Sequence, residues 1–285
     1  LVVPGATEPV TWSISDGALP AGLALGSSMT DTVEISGVPT ATGYATFKIK
    51  AVDADARVEE KEFTIGIGTV KTLLHFNGTH GSTTFTDETG RVWTRGGNTI
   101  ISTTQSKFGG ASAFFDGGAD YINTPYTADW NFNAGDWALD FYAYMTSASG
   151  GSLFGTMFSK RASGADCDLI IYNAGQTLNV KYGDSGGSNK NMACGEFLLN
   201  TLYRVTVGRK DSKLYCAVDG QIRNSVTIVG SMLNRSLPPE MGKSQGFGDS
   251  YFKGYIDEFK LITGATLFVD DQPGYLEAES DYPVP

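Results

Sequence analysis

The chain has 285 residues, more than the ~100 that one β-sandwich needs, and it carries a net charge of −10 with a pI near 4.7. That balance repels phosphate backbones, so nucleic acid is excluded as an expected partner, while a calcium ion or a neutral glycan is tolerated. Glycine stands at 36 and aromatics at 12%, against 18% charged residues, which suits short strands joined by tight turns. No segment carries the i, i+3, i+4, i+7 apolar stripe of an amphipathic helix.

Residues 1–68 read as one small β unit. In Thr46–Val52, Phe47, Ile49 and Ala51 alternate with Thr46, Lys48 and Lys50. Phe63, Ile65 and Ile67 repeat the pattern in Glu62–Ile67, and period-2 alternation marks strands with one face in a core and one in water. Asp16-Gly17, Leu19-Pro20-Ala21-Gly22 and Val38-Pro39-Thr40 supply the turns. The run Val10 to Leu25, then Ile35-Ser-Gly-Val-Pro-Thr, then Thr46 to Ala54, resembles the immunoglobulin-like repeats of bacterial and phage surface proteins. The resemblance implies a small sandwich used as a spacer or presentation unit, with Trp12 in its core.

Gly66–Lys71 forms a short junction, and residues 69–285 are expected to form the second domain. Strand-like runs recur at Leu73–Phe76, Ser112–Phe115, Ala138–Met145, Leu153–Ser159, Leu169–Tyr172, Leu178–Tyr182, Tyr203–Val207, Leu214–Val218 and Tyr255–Ile262, each bounded by Gly, Asn, Asp or Ser. About ten strands without intervening helices predict two stacked antiparallel sheets. Leu73-Leu-His-Phe-Asn-Gly, Phe85-Thr-Asp-Glu-Thr-Gly, Ser106 to Gly117, Leu214 to Gly220 and Gly254-Tyr-Ile-Asp-Glu-Phe are similar to the laminin-G/concanavalin-A-like jelly rolls of phage structural and tail proteins. The tail Phe268–Pro285 matches that family's extended, proline-containing ending. The expected fold class is therefore all-β: a small Ig-like sandwich followed by a larger antiparallel jelly roll.

Cys167, Cys194 and Cys216 form no C-x-x-C pair, and their odd number leaves at least one thiol outside any disulfide. Cys216 alternates with Leu214 and Val218 and reads as a buried small hydrophobe; free thiols suit assembly in a reducing cytoplasm. No apolar run approaches the roughly 20 residues of a membrane span. No signal-peptide pattern is visible, and a start at Leu1 reads as a piece of a longer protein.

Catalysis is not expected. The E-x-D-x-E strand of related glucanases is missing, and Asp136 and Asp140 are roughly 13 Å apart if the strand is regular, too far for either hydrolytic geometry. Adjacent Asp257 and Glu258 should point to opposite faces, and His75 and His80 have no evident nucleophile or metal partner. Two binding sites are candidates. Asn77, Asp116 and Asp257 follow apolar strand segments and are candidate ligands for Ca2+ if the first and last strands pair, or else ordinary turn residues. Asp53-x-Asp55 poses the same choice. Tyr126, Asp129, Trp130 and Asn131 lie in a loop-like stretch that reads either as a glycan-stacking rim or as a plug of Trp130 and Phe132 at the end of the sandwich. The two resemblances imply a non-catalytic phage virion component, homo-oligomeric in the particle, that displays its jelly roll to host-surface glycan. A capsid-decoration or tail-stabilising protein, binding other virion subunits, is the alternative. A bacterial surface or secreted protein and an atypical glycosidase stand further off.

Overall fold

The computed structural model describes residues 3–133, 135–147, 154–162, 167–244 and 250–265. Leu153 and the Phe268–Pro285 tail lie outside them. The chain divides into two compact units, the first running through Thr69 and the second from Val70 to Thr263.

In the first unit, β1 (Thr11–Gly17), β4 (Gly43–Val52) and β5 (Val58–Ile67) form an antiparallel sheet in the order β1-β4-β5, and β2 (Leu23–Leu25) pairs with β3 (Ile35–Gly37). Phe47, Ile49 and Ala51 are buried on one face as their alternation requires, joined by Val10 and Val33. Gly17 ends β1 at φ +69, where a Cβ would stand 2.2 Å from the Thr46 carbonyl oxygen, so only glycine fits. Trp12 departs from expectation. It is half-buried, and its indole N–H donates to the Thr30 carbonyl at 3.1 Å, which ties the ring to the rim of the sheet.

The second unit opens with β6 (Thr69–Leu74), β7 (Thr94–Gly96), β8 (Ile100–Ser102), β9 (Ser112–Asp116) and β10 (Tyr121–Asn123). After a single 3-10 turn at Ala128–Trp130 come β11 (Trp137–Met145), β12 (Phe154–Arg161), β13 (Cys167–Ala174), β14 (Thr177–Asp184) and β15 (Gly187–Glu196). The last five are β16 (Leu202–Lys210), β17 (Lys213–Val218), β18 (Gln221–Thr227), β19 (Glu240–Met241) and β20 (Lys253–Thr263). They build a seven-stranded sheet, β15-β14-β13-β12-β19-β10-β7, and an eight-stranded sheet, β18-β17-β16-β11-β20-β9-β8, with β6 pairing β20.

The core fills the space between these sheets. Leu139, Phe141, Ala143 and Met145 of β11 point into it, and Phe259 bridges Phe141 and Phe158 at ring-centroid distances of 5.8 and 5.7 Å. Burial of this kind contributes about 25 cal/mol per Å² of apolar surface removed from water. Cys194 and Cys216 lie in the core, and all three cysteines are free. The strand expected at Leu73–Phe76 runs instead over Thr69–Leu74, because Phe76 turns to φ +55 and packs edge-to-face on Phe85. Among the described residues, no helix is long and apolar enough to cross a membrane.

Candidate functional site

The expected loop cluster does assemble, but its members serve the fold. Trp130 is fully buried, stacked on Phe158 at 6.0 Å and edge-on to Trp93 at 6.0 Å, so neither ring face is open to a sugar. Asp129 pairs with Lys71 at 3.1 Å and with Arg91, and these cations hold its carboxyl below the usual range despite partial burial. The Tyr126 hydroxyl donates to Asn131 Oδ1 at 2.8 Å, and Lys160 Nζ lies 5.5 Å from the Tyr126 ring centroid. The plug, not the rim, describes this corner, because the 3-10 turn rotates Trp130 inward.

The three expected metal ligands do not converge. Asp116 is the register partner of Lys253, four residues from Asp257 along β20, which separates the two by roughly 13 Å. Asp257 is buried and accepts from the amides of Lys107 at 2.6 Å, Phe108 at 3.3 Å and Glu258 at 3.0 Å. Asn77 is exposed, and its side chain lies against Gly109 in the segment between β8 and β9. Among the described residues, no group of three His, Cys, Asp or Glu is arranged to hold a metal ion, and these donors do not fit calcium. Asp53 accepts from the amides of Thr7, Asp55 and Arg57 and pairs with the Arg57 guanidinium at 2.9 Å, which is turn chemistry.

A bulge on β20 overturns the expectation that Asp257 and Glu258 point apart by simple alternation. The register shifts between Asp140/Lys260 and Tyr142/Asp257, and Glu258 sits at φ +52. Glu258 faces His75, Oε2 to Nδ1 2.7 Å, a partner the sequence spacing could not reveal. Burial, with the Glu258 carboxyl adding to it, pushes Asp257 up to about 7 against the opposing pull of its amide donors. Its folded value is raised, so its contribution to stability is complete below about pH 4 and is lost as pH rises through 7. Thermal melts across pH 4–8 should show this decline in the native chain and lose it in Asp257→Asn.

The outer face of the seven-stranded sheet holds a different constellation. Thr94, Asn123, Glu240 and Ser159 are successive register partners across β7, β10, β19 and β12. The same row continues through Ile170, Lys181 and Asn191 on β13, β14 and β15. Their neighbours Ile122, Met241, Phe158, Ile171, Val180 and Met192 fill the core, so alternation turns this row outward. Seven strands at about 4.8 Å give the row a span of roughly 29 Å.

The middle of the row is covered by other parts of the protein. Ser159, Ile170 and Glu240 are at most 2% exposed although they face away from the core, whereas Asn191 and Thr94 at the ends are exposed. Tyr172 and Asn179 are cross-strand partners beside it. The Tyr172 hydroxyl donates to Asn191 Oδ1 at 2.8 Å, and Asn191 Nδ2 donates to Asn179 Oδ1 at 3.2 Å. Toward β7 the Tyr121 ring lies over Gly96, where a Cβ would come within 2.0 Å of it, and Lys243 Nζ sits 3.3 Å from the ring centroid. Glu240, the one carboxylate in the row, pairs with Lys243 at 3.3 Å. The exposed Thr94 and Asn191 and the half-buried Asn123 and Lys181 can hydrogen-bond a polyhydroxyl ligand. The described row contains no second carboxylate to act with Glu240 in hydrolysis.

The two stacked antiparallel sheets define a lectin-like jelly roll. Residues 116–266 match the model of the concanavalin A-like lectin/glucanases superfamily, more than half of the chain, and the chain belongs to that superfamily. Residues 2–68 match the Putative Ig domain family. Among solved structures, the binding domain of Paraclostridial Mosquitocidal Protein 1 superposes with a TM-score of 0.55 at 12% identity, over 70% of this chain and 49% of that one. The Botulinum Neurotoxin serotype G binding domain gives 0.54 at 12%, over 70% and 49%. The receptor binding domain of botulinum neurotoxin D gives 0.53 at 11%, over 70% and 50%. The chain thus spans about half the length of these structures, and the likeness is one of fold. No curated protein matches it.

Proposed function

We propose that this chain is a non-catalytic module that attaches a phage virion to host-surface glycan through the outer face of its seven-stranded sheet. The row of register partners across that face, polar at six of its seven positions, carries the reading. A polysaccharide needs hydrogen-bond partners spread along its length, and the exposed Thr94 and Asn191 with the half-buried Asn123 and Lys181 supply them without a catalytic carboxylate pair. The toxin domains that share the fold are binding or receptor-binding domains, which agrees with it. The virion setting rests on the pairing of an Ig-like unit with a jelly roll, the combination the sequence resembles in phage structural proteins. In that setting the Ig-like unit presents the lectin-like unit.

The test is a glycan array together with a host-cell pull-down at micromolar protein. Binding is expected, and Asn191→Ala should weaken it about five- to tenfold by removing one hydrogen-bonding side chain. Asn191 also holds the buried Tyr172 and Asn179, so its loss should cost about 1–2 kcal/mol of stability, and binding measured well below the melting transition separates the two effects. A blank array and a blank pull-down would overturn the reading. The capsid-decoration or tail-stabilising alternative draws on Met29, Val38 and Val58, apolar side chains 75%, 78% and 53% exposed on the Ig-like unit, which suit contact with another virion subunit.

A further inference from the structure

The three cysteines allow three disulfide pairings, and their places in the fold single out one. Met192 and Cys194 on β15, and Leu214, Cys216 and Val218 on β17, alternate into the core between the two sheets. Cys194 and Cys216 are fully buried there, and their thiols hydrogen-bond to each other. Cys167 lies outside that core, in a separate cluster with Ile170 and Tyr172, its Sγ 3.6 Å from the Lys181 carbonyl oxygen. The strands explain why Cys194 meets Cys216. β15 and β18 are the terminal strands of their sheets, and Asn224 on β18 donates through Nδ2 to the Ala193 carbonyl at 2.8 Å, which ties the two edges together. Asn224 is the register partner of Cys216, and Ala193 precedes Cys194 in the chain, so that tie brings the two thiols face to face across the sandwich.

We propose that Cys194 and Cys216 close an inter-sheet disulfide when the chain meets a disulfide oxidant such as glutathione disulfide, while Cys167 stays out of it. One thiolate attacks the oxidant's S–S bond, which forms a mixed disulfide and releases one thiol. The other thiolate attacks the protein sulfur of that mixed disulfide and expels the second thiol. The protein loses two S–H bonds and gains one S–S bond, and the oxidant takes up the two electrons and two protons as its pair of thiols. Side chains already in hydrogen-bond contact need only a short approach to reach the ~2.05 Å of that bond. Burial first, and the Cys194 thiol beside it next, push Cys216 well above the usual thiol range, so the closed sandwich holds it neutral and slow to react. Oxidation therefore belongs to the opened sandwich, and a reducing cytoplasm leaves both thiols free. The bond would staple the seven-stranded sheet to the eight-stranded one and constrain a loop of about 20 residues in the unfolded chain.

The experiment holds the full chain with reduced and oxidised glutathione at the midpoint of its urea transition, where closed and open sandwiches interchange. One portion is alkylated there and mapped by mass spectrometry, and another is returned to buffer and melted. A Cys194–Cys216 cross-link is expected in most molecules, with Cys167 outside any cross-link. The oxidised chain should melt about 5–10 °C above the reduced one, and dithiothreitol should abolish the difference. Cys167→Ala should keep both the cross-link and the shift, and Cys216→Ala should lose both. The mapping of the native sequence decides the pairing whether or not those variants fold. A native chain without the Cys194–Cys216 cross-link, a cross-link that takes in Cys167, or an oxidised chain that melts no higher than the reduced one would overturn the proposal.

Discussion

Asp140→Ala is expected to destabilise the jelly roll by about 3–5 kcal/mol, a large part of the ~5–15 kcal/mol that holds a domain folded. Asp140 is fully buried in β11 on the side away from the core, and its carboxylate takes Arg204 Nε at 3.0 and 3.2 Å, Arg204 Nη2 at 3.1 Å and the Thr206 hydroxyl at 2.6 Å. Lys260 is nearby, 7% exposed, and burial pulls it down to about 8 in spite of the Asp140 charge. Without the carboxylate, Arg204 and Lys260 would remain as buried like charges. Equilibrium urea unfolding should show the midpoint fall with the slope unchanged. The double variant Asp140→Ala/Arg204→Met should lose less than the sum of the single losses, since the second change removes a stranded cation. Burial acts to raise Asp140, but Arg204 and Lys260 outweigh it and hold the folded value below 3.8. Its contribution is therefore present above about pH 4 and lost as pH falls through that depressed value. Additive losses in the double variant would show that the pair is not coupled.

Trp130→Ala should likewise cost about 3–5 kcal/mol, the range for deleting a large buried aromatic. The indole is wedged among Trp93, Phe158 and the Arg91 guanidinium, the last 5.9 Å from its ring, and removing it opens a cavity at the end of the sandwich. The measurement that matters is the comparison with Asn191→Ala. Trp130→Ala should lower the melting temperature steeply, and any glycan binding should scale with the folded fraction. Asn191→Ala should weaken binding in the folded protein and lower the melting temperature less. A Trp130→Ala protein of native stability with lost binding would restore the loop cluster as the site.

Much of the fold was legible in the sequence. The alternation of Phe47, Ile49 and Ala51, and of Leu214, Cys216 and Val218, reports burial directly because a strand shows every second residue to one face. Short strands were hidden. Tyr121–Asn123 and Glu240–Met241 are too brief to display a period, and Gly187–Glu196 is too polar to stand out as a strand. The site was hidden for a different reason. Its row draws one residue from each of seven strands scattered between Thr94 and Glu240, and only the register brings them together. Trp130 left two readings open, because a tryptophan beside Asp and Asn suits an exposed rim as well as a plug, and only the 3-10 turn decides for the plug. Likewise, no spacing rule anticipates the bulge that gives Glu258 to His75.

The pairing of β20 has a consequence in time. This strand joins β11, β9 and β6, so the last strand described in the jelly roll sits in the interior of its sheet. A ribosome delivers the chain from its N-terminus, and until Lys253–Thr263 emerges, β11 and β9 expose unsatisfied backbone to one another across an empty lane. The nascent jelly roll must wait, open along its middle, for the last of its described strands. That makes its closure late and dominated by long-range contacts. Shielding of that lane during synthesis, more than the stability of the finished sandwich, should then set the yield of folded protein.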